Sequence, residues 1–97
     1  MQQSWRQAAF ETRLDEWIEL EGPSLHFRRL VTAWVLTRLE NPYDGTQRQQ
    51  RFANLWFGRI PGTYQPGDGT VVVCSLWIEE MSRMVQCDRI GTLTIPY

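Results

Sequence analysis

Phe27, Leu30, Val31, Trp34, Val35 and Leu39 fall at i, i+3, i+4, i+7, i+8 and i+12, the spacing of one face of an α-helix. No other feature constrains the chain as much. A helix with one apolar face must bury it, so the rest of the chain has to supply a complementary surface. Ser24 is placed to cap the first turn. Asn41-Pro42 stops the helix, because the residue before a proline is pushed out of the helical region. A second helical face precedes it. Phe10, Leu14, Trp17 and Ile18 recur at i, i+4, i+7 and i+8, with Glu11, Asp15, Glu16 and Glu19 on the remainder. The short Gly22-Pro23 joint between the two predicts an antiparallel helical hairpin.

The second half of the chain reads as strands. Residues 43–51 (YDGTQRQQR) are polar and read as a loop. Phe52–Ile60, Thr70–Ile78 and Met84–Ile90 are strand candidates, and Leu93–Tyr97 is a short extension or a tail. Ser4–Ala9 (SWRQAA) reads at least as easily as helix as it does as strand. The expected fold class is α+β: one domain over residues 1–97, with a helical hairpin packed on a three- to four-stranded antiparallel sheet. A symmetric turn through Glu79–Arg83 would set Cys74 opposite Cys87 and Leu76 opposite Val85. Val72, Cys74, Leu76, Ile78, Val85 and Cys87 would then share the apolar face, and Trp77 would pair with Met84 on the other.

Charge narrows the function. Ten basic residues, all Arg, stand against eleven acids, for a net charge of −1. Neither half carries the basic excess of a non-specific nucleic-acid binder, though a local arginine patch can still form on folding. The absence of Lys points to a GC-rich bacterial genome or a phage. No run approaches the roughly 18 apolar residues of a membrane span, and residues 1–9 lack the apolar region of a signal peptide. The expectation is a cytoplasmic protein that makes no membrane contact and keeps Cys74 and Cys87 reduced.

Few motifs carry chemistry. The run Leu55–Thr70 (LWFGRIPGTYQPGDGT) is rich in Gly and Pro, but Asp68 stands where a phosphate loop needs lysine and a strand follows instead of a helix. Strand, long connection and an Asp-Gly turn is the better reading. His26 lacks a catalytic partner at a meaningful spacing. Two Cys and one His give no metal site, and no cofactor is expected. Glu11, Asp15 and Glu19 form a solvated helix face. Arg59 at a strand end, Arg83 in a turn and Arg89 in the next strand are the one constellation kept. With Tyr97 they would converge on a concave sheet face, where arginine forks can hold phosphate. Trp56 and Tyr64 join Arg89 as candidate nucleic-acid or partner contacts.

The order of two helices, an "NP" with Gly soon after, and three antiparallel strands resembles the RelE/ParE toxin superfamily. "VLTRLENPYDG" resembles the end of that family's second helix, and "RFANLWFGRIPGT" with "VVVCSLWIEE…MVQCDRIGTL" resembles its strand meander. The resemblance implies an N-terminal strand and an antitoxin that wraps the sheet and helices. It further implies either mRNA cleavage on the ribosome or binding to gyrase. Arg59, Arg83 and Tyr97 would carry any cleavage, while the acidic composition fits a binding toxin better. The expected partner is a protein, an antitoxin or a target enzyme, with RNA or the ribosome as a further target. The alternative is a small acidic inhibitor or immunity-type protein, phage-encoded, that blocks a larger enzyme with its acidic helix face and an exposed Trp.

Overall fold

The computed structural model describes residues 5–95. Strand β1 (Arg6–Ala8) leads into helices α1 (Phe10–Glu21) and α2 (Leu25–Thr37). Strands β2 (Thr46–Arg48), β3 (Leu55–Arg59), β4 (Thr70–Glu79) and β5 (Met84–Thr94) follow. Local chemistry explains the helix ends. Gly22, at φ 55°, closes α1 by donating its N–H to the Ile18 carbonyl, and Ser24 Oγ caps α2 by accepting from Phe27 N at 3.1 Å. The α2 helix stops at Thr37, before Asn41-Pro42; the backbone there tightens into i−3 bonds, and the Arg38 side chain donates to the Trp34 and Pro42 carbonyls.

The fold is α+β, but the sheet corrects the expectation. It has five strands in the order β1-β5-β4-β3-β2, and it is mixed, because β1 runs parallel to β5. Residues 6–8 are therefore strand, and residues 46–48 pair with β3 where a loop was expected. Three-residue strands are too short to show a period of two, and their pairing is a tertiary outcome. The last expected strand and its tail are one continuous β5 as far as Thr94; Tyr97 lies outside the described residues.

The register of the β4–β5 hairpin also differs from expectation. Its loop is Glu80–Arg83, with Arg83 left-handed at φ 55°, so the turn is centred one residue later than assumed. Leu76 faces Cys87, Ile78 faces Val85 and Trp77 faces Gln86; a bulge at Asp88 then brings Cys74 opposite Ile90. A slip of two residues keeps every side chain on its face, so the apolar set survives the wrong pairing. The two sulfurs meet diagonally at 3.8 Å as free thiols. That contact and burial push the Cys74 thiol well up, which keeps it protonated and inert.

Both helices lie on one face of the sheet. Trp17, Val31, Trp34 and Val35 join Val72, Cys74, Leu76, Ile78, Val85, Cys87 and Ile90 in the core. Ile60 and Thr63 tie the long connection down: Thr63 Oγ1 donates to the Ile60 carbonyl and accepts from Val72 N. The first part of the segment is thereby anchored to the core, and residues 64–68 are exposed.

An aromatic ladder closes one end of the sheet. The Tyr43 ring meets Trp5 and Trp56 edge-on at 6.1 and 4.9 Å, and its hydroxyl donates to Glu80 at 2.7 Å. Burial, helped by the Glu80 carboxylate, pushes the Tyr43 phenol up to about 12. An absorbance titration is expected to show Tyr43 ionising late, with the late step absent in Tyr43→Phe. A raised acid pKa favours the protonated fold. This contribution is therefore present below the ordinary tyrosine pKa of about 10 and is lost as pH rises through about 12. Full ionisation near pH 10 would contradict the contact.

Candidate functional site

With the helices on one side, the other face of the sheet is left open. Alternation within β3 decides which side chains it carries. Trp56 and Gly58 lie opposite Leu76 and Cys74 and face the helices, whereas Leu55, Phe57 and Arg59 lie opposite Trp77, Ser75 and Val73. Arg89 joins them from β5, opposite Ser75. A shallow groove of about 490 Å³ runs across this face between Leu55, Phe57, Val73, Arg89 and Leu93. A smaller one of about 200 Å³ lies between Phe57 and Arg59 at the β2 side.

The electrostatics of the face are simple. Asp88, the bulge residue, accepts from Trp77 Nε1 and from Ser75 Oγ, both at 3.1 Å. Its carboxylate is thus held by neutral donors on its own sheet. Arg59 and Arg89 are exposed, and neither side chain makes an ion pair or hydrogen bond. The result is an apolar strip of Leu55, Phe57 and Val73 with an uncommitted guanidinium on either side of β4. Such a face can hold carboxylates or phosphates in fixed forks while covering apolar groups.

The constellation expected from the sequence is only partly assembled. Arg59 and Arg89 share the open face. Arg83 does not: it sits in the β4–β5 turn, beyond Glu79, with its guanidinium 4.5 Å from the Trp5 ring centroid. Six residues of β4 separate that turn from Val73, roughly 20 Å along the strand. The expected convergence of Arg59, Arg83 and Arg89 is therefore corrected, because strand length sets Arg83 at the opposite end. Tyr97 lies outside the described residues. Trp56 packs against the core beside Tyr43, on the helix side of the sheet. Tyr64 is exposed in the connection before β4. His26 is exposed on α2, near the ring of Phe27. Sequence reasoning missed Phe57, Val73 and Asp88. The alternation in Leu55-Trp56-Phe57-Gly58-Arg59 was the available signal for Phe57, since a partly open sheet puts every second residue outside.

Among the described residues no group of three or more His, Cys, Asp or Glu side chains is arranged to hold a metal ion. No described helix is long and apolar enough to cross a membrane. No protein-family model matches the chain, and no curated protein matches it.

Proposed function

We propose that this chain acts by binding, as a RelE/ParE-like component of a toxin–antitoxin-type system in the cytoplasm, and that the open sheet face is its working surface. One observation carries the reading: Arg59 and Arg89 are uncommitted on either side of a half-buried apolar strip that no helix covers. Apolar side chains flanked by unpaired guanidinium groups are the combination that binding faces favour. The element order adds support, since a first strand ahead of a helical hairpin is what the resemblance implied. With Arg83 far from the pair, recognition is favoured over cleavage.

Expression of the chain alone is expected to arrest bacterial growth, with rescue by a neighbouring gene product. Unchanged growth would overturn the toxin reading. The alternative of an acidic inhibitor draws on a different surface, the exposed Glu11, Asp15 and Glu19 of α1. It predicts harmless expression and capture of a larger enzyme that is lost when those three acids are neutralised.

A further inference from the structure

β5 is longer than the strand beside it. β1 pairs only with Met84–Gln86, whereas β5 runs on to Thr94, and among the described residues no strand flanks the remainder on that side. The backbone there points outwards. Val72 turns its N–H and carbonyl away from β5, to Thr63 Oγ1 and Ile60 N, so Thr92 opposite it turns its own away from β4. Alternation gives Ile90 and Thr94 the same direction. Such an edge is a template for a further strand. Leu20 and Leu93 flank it, 86% and 56% exposed. One carboxylate stands in the way. Glu21, the last residue of α1, accepts from Thr92 N at 3.0 Å, from Thr92 Oγ1, and from Trp17 Nε1 at 3.2 Å. It fills the place that a neighbouring strand's carbonyl would take at Thr92.

We propose that this edge of β5 is a pairing surface for a second copy of the chain, and that Glu21 holds it shut. The copy is the occupant because two β5 edges, set antiparallel about a two-fold axis at Thr92, match each other. Each Thr92 would exchange N–H and carbonyl bonds with its counterpart, and Ile90 would do so with Thr94 of the second copy. Leu93 would lie opposite Gly91 of the second copy, which has no side chain to obstruct it. The two Arg89 residues would be six positions apart along the strands, roughly 20 Å, too far to repel strongly. The two Glu21 carboxylates, by contrast, would meet near the axis. Glu21 therefore acts twice: it occupies the Thr92 N–H, and it repels its counterpart. The surface is the edge of the sheet and not its open face, so the inference goes beyond the reading above and stands whatever that face binds.

Analytical ultracentrifugation over a concentration series tests this on the full chain. The native protein is expected to sediment as one chain, and Glu21→Ala to dimerise about tenfold or more tightly than native. Glu21→Ser, also too short to reach Thr92, should behave like Glu21→Ala, and circular dichroism checks that each variant folds. Adding Thr92→Pro to Glu21→Ala should restore the single chain, since it removes an outward N–H that the chain's own sheet does not use. Amide exchange locates the contact without that second substitution: at Ile90 and Thr94 it should slow as the concentration of Glu21→Ala rises, and stay constant in the native protein. Variants at Glu21 that fold and remain single chains overturn the inference. A native chain that dimerises as tightly as they do overturns the role of Glu21. A dimer that Thr92→Pro leaves intact, or that gives Ile90 and Thr94 no protection, overturns the edge as the surface.

Discussion

Arg38→Ala is expected to lower stability by about 3 kcal/mol, a fall in melting temperature of roughly 15 °C for a chain of this size. Arg38 is 2% exposed at the end of α2, the one buried charged side chain among the described residues. Its guanidinium lies 3.8 Å from the Trp34 ring centroid and donates to the carbonyls of Trp34, Pro42 and Asp44 and to Thr37 Oγ1. These bonds fold the chain after α2 back towards β2. Burial pulls the Arg38 pKa down, partly offset by Asp44. Truncation strands two loop carbonyls and empties the space over Trp34, and both effects are unfavourable. Arg38→Lys keeps a charge but loses the planar fork, so it should fall between native and Ala. Urea unfolding of the three proteins measures this; a loss below about 1 kcal/mol for Ala would mean that the loop holds without the guanidinium.

The second large effect is at Gly58. A Cβ there would lie 2.5 Å from Trp34 Cζ2 and 3.1 Å from the Gly45 carbonyl. In an open strand Gly→Ala is favourable by roughly 0.5–1 kcal/mol, because glycine loses more backbone freedom on folding. Here the sign reverses: Gly58→Ala should cost about 2 kcal/mol and Gly58→Val more, since Trp34 must leave its place under the sheet. A double-mutant cycle with Trp34→Phe should recover about 1 kcal/mol of the Ala cost. A neutral or stabilising Gly58→Ala, with no coupling to Trp34, would contradict the packing of α2 against β3.

These two sites show what the sequence could and could not reveal. The α2 stripe, the Gly22-Pro23 joint and the Ser24 cap were legible because each has a local cause. The apolar set on β4 and β5 was legible too, since a period of two survives an even register slip. The register itself was not, because it depends on the left-handed Arg83 and the Asp88 bulge, neither of which has a sequence signature. β1 was left open between helix and strand, and β2 was read as loop, for want of length. Leu39 counted in the helical stripe but lies past the helix end, where the backbone has tightened into i−3 turns. At the candidate face, Arg59 and Arg89 were singled out from their strand positions. Arg83 was grouped with them in error, since strand length, which separates them, is invisible until the turn is placed.

The central claim is that this protein works through the open face. Growth of bacteria expressing the native chain, R59E/R89E or Arg29→Glu tests it most directly, with equal protein levels verified. Arg29 is exposed on α2, away from that face, so its reversal controls for surface charge. The account predicts arrest by the native chain and by Arg29→Glu, and normal growth with R59E/R89E. Arrest that persists in R59E/R89E, or that is lost in Arg29→Glu alone, would contradict it.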